Sequence, residues 1–419
     1  MFELKNSKKA FFFVHRRAYD GKYCLNKCSL YDIITSRDNA ENIEISRFMK
    51  ANKAYKFRIY PSNEQKRKLA QNFGCSRFVF NHFLAFQKDN YEKDGKYISY
   101  NTLAKELPIL KKQYPFLKEV DSISLQQEIR HLDMAFQRFF KMKESGYPKF
   151  KSKKNHFYSY STVCINGNIR IDGKKITVPK VGLVKIKQHR DIPNEYILKS
   201  MTVEQTPSEK YFAVLLFEYE KQVRKKNVVN TIGLDYASDG LFVDSDGNCC
   251  GYPKFFRKTQ DKLAYEERKL SRMQKGSKNF ERQRIRVAKI HEKIANQRLD
   301  FLNKESLMLA KNYDLVGIED LDMKAMSRGL KLGKATMDNG WGMFTSMLSY
   351  KLSDRGGYLV KVGRSFPSSQ LCSCCGYQNP ETKDLSVRKW TCPKCSQKHS
   401  RDHNAAINIQ KEAMRLLSA

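Results

Sequence analysis

Apolar positions recur along this chain at two periods, and the switches between them mark its organisation. Tyr55, Phe57 and Ile59 alternate with Lys56 and Arg58, which predicts a strand with one apolar and one basic face. Pro61 ends that strand, and Ser62-x-x-Gln65 forms a capping box that opens a helix. Leu69, Phe73, Phe80 and Leu84 then follow at helical spacing, and the helical pattern runs to about Phe140. Its second half carries a core stripe of Leu125, Ile129, Leu132, Phe136 and Phe139. From Phe157 to Tyr219 the period falls to two. The segments KITVPK, GLVKIK and YFAVLLFEYE predict a small antiparallel barrel. Asn166-Gly167 and Asp172-Gly173 read there as type I′ hairpin turns.

A last domain begins near Val228. Two apolar runs, Val228 to Leu234 and Leu315 to Ile318, predict buried strands, and residues 257–304 read as a long basic helical pair broken near Gly276. The expected organisation is an appended segment over 1–48, a first strand over 49–61 and a helical region over 62–155. A strand-rich region over 156–226 and a final domain over 227–419 follow. Lys149 to Lys154 and Lys221 to Lys226 read as basic linkers.

Composition narrows the classes. With 41% hydrophobic residues the chain has material for buried cores, which excludes wholesale disorder. It holds no apolar run of membrane-spanning length, and the apolar stretch Ala10 to Val14 is too short for a signal peptide. A soluble cytoplasmic protein with no membrane partner is expected. The 78 Lys and Arg against 44 Asp and Glu leave a net charge of +34. So large an excess repels itself unless a polyanion neutralises it, which points to nucleic acid. Lys56, Arg58, Arg77, Arg130, Arg138, Arg284 and Arg286 are candidate contacts, the last two on the basic helical pair, where a solvated salt-bridged helix is the competing reading.

The eleven cysteines are an odd number, against a disulfide framework. Cys24-x-x-x-Cys28 is at most a weak half-site. Cys372-Ser-Cys374-Cys375-Gly376 and Cys392-Pro-Lys-Cys395 are separated by sixteen residues between Cys375 and Cys392. Two C-x-x-C knuckles at that distance predict a Cys₄ zinc ribbon with ligands Cys372, Cys375, Cys392 and Cys395, and Cys374 as a spectator. Four protein ligands close the coordination sphere, so one structural zinc ion is expected.

Three acids stand out by position. Asp235 ends the first apolar run, Glu319 ends the second, and Asp402 starts a helix in Arg401-Asp402-His403-Asn404, where the helix dipole favours negative charge. Asp320 and Asp322 compete with Glu319. Three carboxylates brought together need cations between them, which implies two Mg²⁺ ions that activate water and stabilise the leaving oxygen of a phosphodiester. On a mixed sheet this is the chemistry of ribonuclease-H-like nucleases. Arg401 either stabilises charge on the scissile phosphate or makes a simple salt bridge.

With these residues in view, about residues 49–419 closely resemble the transposon-encoded TnpB family and, more broadly, the compact type V CRISPR nucleases. The carriers are AYKFRIYP, GCSRFVFNHF, GLDYASDGLFVDSDG, VGIEDLDMKAMSR, FPSSQLCSCCG and RDHNAAINI. The resemblance implies an α+β multidomain fold. Its parts are a wedge β-barrel formed by 49–61 and 156–226, a helical recognition lobe inserted at 62–155, and a RuvC-like, RNase H-like nuclease domain over 227–419. A zinc ribbon at 371–397 is nested in the nuclease domain. The family's catalytic triad falls on Asp235, Glu319 and Asp402, which decides against Asp320. Its zinc ligands fall on the four cysteines already named. Ser400 stands where many relatives carry an acid. The implied activity is RNA-guided cleavage of double-stranded DNA beside a short motif, with a guide RNA from the transposon end or a CRISPR-like locus. A catalytically silent RNA-guided repressor would be expected to lack one of the acids, whereas a DNA transposase would share the two-metal chemistry.

Overall fold

The computed structural model describes residues 47–142, 145–223, 226–329, 333–384 and 386–418. Cys24, Cys28 and almost all of the expected appended segment lie outside the described residues. The chain divides into two compact units, Lys50–Lys221 and Gln222–Ala419.

Strand β1 (Arg47–Tyr60) begins two residues before Met49 and leads into the first unit. Ser62 then caps α1 (Asn63–Asp94). The Ser62 hydroxyl accepts from the Gln65 amide at 3.2 Å and the Gln65 side chain accepts from the Ser62 amide at 3.0 Å, so the capping box is present. Helices α2 (Tyr100–Gln113) and α3 (Ser122–Lys141) follow. Val79, Phe83, Leu103, Leu107, Leu125 and Ile129 bury one core between the three helices. Residues Lys149 to Lys154 are more than a linker. Asn81 of α1 exchanges two hydrogen bonds with the Lys151 backbone, and the Lys151 ammonium pairs with Glu128 of α3, which is buried.

Six further strands complete the sheet of this unit: β2 (Tyr158–Val163), β3 (Ile171–Asp172), β4 (Lys175–Val178), β5 (Gly182–Lys187), β6 (Ile197–Gln205) and β7 (Tyr211–Val223). Their order is β2-β6-β7-β1-β5-β4-β3. Alternation decides which face is buried, so Phe57, Tyr160, Ile176, Val184, Val203 and Leu215 from six different strands meet in one core. Asn166 and Gly167 both adopt positive φ, at 51° and 70°, as a type I′ turn requires, but the flanking β2 and β3 pair with β6 and β4 and not with each other, so the expected hairpin is not formed there. The second expected turn differs. Asp172 pairs with Lys175, so Gly173 and Lys174 are the loop, and only Gly173 has positive φ, which is the type II′ signature.

The second unit is built on a five-stranded sheet. Its strands are β8 (Thr231–Tyr236), β9 (Phe242–Asp244), β10 (Cys249–Cys250), β11 (Leu315–Glu319) and β12 (Tyr358–Val362), in the order β10-β9-β8-β11-β12. β8 and β9 run antiparallel, whereas β8, β11 and β12 run parallel. The long crossover from β10 to β11 holds α4 (Phe255–Ser271) and α5 (Lys278–Asn312), with Gly276 at φ 86° in the turn between them. Between β11 and β12 lie α6 (Met323–Gly329), α7 (Gly333–Asn339) and α8 (Trp341–Asp354). The chain then makes a small ribbon with β13 (Lys389–Thr391) and β14 (Lys398–Ser400), and ends in α9 (Arg401–Ser418). Ile232, Leu234, Val316 and Ile318 pack on Leu302, Leu309, Phe344 and Leu348 of α5 and α8. Leu315 and Val362 pack on Ile409 and Ala413 of α9. No helix among the described residues is long and apolar enough to cross a membrane.

Candidate functional site

Two glycines bring the acids together. Gly233 and Gly317 are direct partners in the parallel β8–β11 ladder. A Cβ on Gly233 would overlap the carbonyl oxygen of Ala406 and lie 2.6 Å from the Gln410 amide nitrogen. A Cβ on Gly317 would lie 2.7 Å from the Ala413 Cβ. The bare pair is therefore a floor on which the backbone of α9 rests. Side chains two residues apart in a strand share a face, so Asp235 and Glu319 project from the α9 face, one pleat beyond each glycine. Asp402 lies one helical turn before Ala406 and comes to the same end. Asp235 feels this arrangement: burial and then the negative charges of Glu319 and Asp402 hold its carboxyl well above the usual range, with Arg401 opposing them.

The neighbours are specific. Ser368 donates its hydroxyl to Glu319 Oε1. The exposed Arg388 guanidinium lies 3.5 Å from Asp402 Oδ2. Asp320 is turned away into ion pairs with Lys361 at 3.2 Å and Arg364 at 3.1 Å. Asp322 accepts from the Lys324 and Ala325 amides and so caps α6. His403 reaches the Ser245 carbonyl oxygen at 3.1 Å, fastening the first turn of α9 to the turn after β9.

The four cysteines converge beside this site. Cys372, Cys375, Cys392 and Cys395 bring their sulfurs within 4.8 Å of one another, and they are the only such cluster of three or more ligand atoms among the described residues. The three carboxylates are accordingly spread wider than the thiols. The Cys372–Cys395 and Cys375–Cys392 pairs stand 3.6 Å apart. Four sulfurs about 2.3 Å from a central ion would stand roughly 3.8 Å apart in a tetrahedron, so the donor set fits zinc. Cys374 is exposed and outside the cluster. His399 is buried against Trp390, with ring centroids 4.7 Å apart, and its Nε2 lies 3.0 Å from Cys372 Sγ. Spacing of cysteines could not reveal that contact.

The basic candidates have varied surroundings. Lys56 pairs with Glu204 at 2.6 Å and lies over Phe212, and the Arg58 guanidinium lies over Tyr60 and Phe212. Arg77 and Arg138 are half-buried on α1 and α3, and exposed Arg130 stacks over Tyr100. Arg284 donates to Glu281 at 2.7 Å, and Arg286 lies 3.9 Å from Glu266. Arg401 is buried and donates to the Asp384 carbonyl at 3.2 Å.

The 3-2-1-4-5 strand order, the flanking helices and the ribbon ahead of the last helix define an α+β protein with a RuvC-like nuclease fold. Residues 214–329 match a family model described as "Probable transposase", and residues 341–409 match the "Cas12f1-like, TNB domain" model. Residues 49–96 match a "Helix-turn-helix domain", although the structure there is strand β1 followed by the single long helix α1. A Streptomyces pristinaespiralis protein named "Putative RNA-guided DNA endonuclease" is 35% identical over 85% of this chain and 88% of its own length. The Escherichia coli K12 protein "Putative RNA-guided DNA endonuclease InsQ" is 31% identical over 86% of this chain and 92% of its own. A solved Cas12f1–sgRNA–target DNA complex aligns at 15% identity and a TM-score of 0.47, covering 86% of this chain and 99% of that one, a likeness too distant to bear on the assignment. The chain belongs to the transposon-encoded TnpB family.

Proposed function

We propose that this chain is an RNA-guided endonuclease that hydrolyses phosphodiester bonds in double-stranded DNA beside a short adjacent motif. The observation that carries the reading is the convergence of Asp235, Glu319 and Asp402 at one end of the β8–β11–α9 layer, where burial and the neighbouring charges of Glu319 and Asp402 disfavour a bare carboxylate at Asp235. Such a set is stabilised by hard divalent cations, and oxygen donors suit Mg²⁺. Bound there, two Mg²⁺ ions would supply a nucleophilic water and charge stabilisation at the leaving oxygen. Asp235, Glu319 and Asp402 hold them, and Arg388 and Arg401 keep positive charge beside the phosphate-binding end. The four cysteines hold one zinc ion with no open position, a structural role.

The guided part of the reading rests on the names of the relatives at 35% and 31% identity. A guide RNA transcribed from the transposon end would pair with the target strand, while the protein grips backbone and duplex shape. Lys56, Arg58, Arg77, Arg130, Arg138, Arg284 and Arg286 are the proposed contacts. Asp235→Ala and Glu319→Ala are expected to abolish guided plasmid cleavage and to leave RNA binding nearly intact. Full cleavage by both variants would overturn the reading.

A further inference from the structure

Asn408 and Asn404 lie one turn apart on α9, and both are buried. Asn408 Nδ2 donates to the carbonyl oxygens of Ser368 at 2.8 Å and Leu371 at 2.7 Å. Asn404 Nδ2 donates to Leu371 O at 2.6 Å, and its Oδ1 accepts from the Ser373 amide at 2.9 Å. These bonds hold residues 368–373, which run straight into the Cys372 knuckle, against the helix that carries Asp402. Ser368 also stands 5% exposed with its hydroxyl on Glu319. One short segment thus touches a ribbon ligand, the Asp402 helix and the Glu319 carboxylate.

We propose that Ser368 is a positioning residue for Glu319, held in place by Asn408, so that the ribbon and α9 orient the acids of two different elements as one piece. A strand-end glutamate has three rotatable bonds and would otherwise sample several rotamers. A hydrogen bond from a hydroxyl to a carboxylate is charge-assisted, and it fixes one oxygen while the other is kept for a cation. Groups that orient metal ligands in this way commonly change affinity by about 10–100-fold when removed. The inference rests on the reading that Glu319 holds a divalent cation.

The test is a Mn²⁺ titration of the full-length protein, with free Mn²⁺ read by its EPR signal. Ser368→Ala is expected to weaken Mn²⁺ binding about tenfold. Its zinc content and its melting midpoint without Mn²⁺ should equal those of the parent. Glu319→Gln is the control and should weaken binding more severely. Parental affinity in Ser368→Ala alongside lost affinity in Glu319→Gln would overturn the positioning role while sparing the site. Parental affinity in Glu319→Gln would overturn the site reading, and the inference with it. Loss of zinc or of melting temperature in Ser368→Ala would show a merely structural serine, which also overturns the inference.

Discussion

Lys151 shows how much one side chain can change meaning between a sequence and a structure. It sits in a run of lysines and arrives 4.3 Å over the Phe80 ring with its ammonium on Glu128. Glu128 is buried on α3, and burial alone would raise its carboxyl. Lys151 and His131 outweigh that and hold it below the usual range. Lys151 is therefore the main counter-ion, with His131 beside it, that makes a buried glutamate tolerable. Lys151→Met keeps the aliphatic stem but strands the charge, and removal of one partner of a buried pair costs about 3 kcal/mol. Urea denaturation should show the loss, and Glu128→Gln in the same chain should restore much of it. An unchanged midpoint in Lys151→Met would show that the pair is solvated. The pH sign follows from the lowered carboxyl: the stabilisation is fully present above the ordinary carboxylate range and is lost as pH falls below it, through the lowered pKa of the folded state.

At the scale of elements, α9 is positioned by what the strands beneath it lack. Gly233→Ala would force the helix backbone outward, because the added carbon meets the Ala406 carbonyl and the Gln410 amide, not the end of a flexible side chain. Asp402 rides on that helix, so Gly233→Ala is expected to cut DNA cleavage by at least about 100-fold, as misplacements near 1 Å do. Circular dichroism should still report a folded protein. Near-parental cleavage by this variant would show that α9 can shift without cost. The glycine pair was not legible in the sequence, because two glycines among apolar runs look like any others until the parallel register pairs Gly233 with Gly317. The strand ends at Asp235 and Glu319 were legible, since an apolar run closing on a carboxylate is a local pattern. So was the capping box at Ser62, whose partners lie three residues apart. Turn type at Asp172-Gly173 was misread because it depends on which residues pair across it, which composition does not encode. Ser368, Asn404, Asn408 and His399 act through contacts 27 to 49 residues distant in the chain, beyond any periodicity.

For the whole molecule the charge of +34 is the dominant physical fact. Many of its cations are already answered within the fold: Lys56 by Glu204, Arg284 by Glu281, Arg364 and Lys361 by Asp320. Such pairing removes no charge from the chain, so the net excess is unchanged. A guide–target heteroduplex of about 20 bp carries on the order of 40 phosphates, which is commensurate with that excess. Counterion release then sets a quantitative expectation. Neutralising only six to ten phosphates already weakens binding by about 10³–10⁵ between 50 and 200 mM salt. RNA recovered with the protein from its host locus should therefore bind at least about a thousandfold more weakly over that range, as measured by filter retention. Arg286→Ala should weaken RNA binding with little regard to sequence and make the salt slope shallower by about one, if that exposed guanidinium meets a phosphate. An affinity that changes less than about tenfold would assign the positive charge to a solvated surface, and would leave the acids at Asp235, Glu319 and Asp402 without the guided substrate proposed for them.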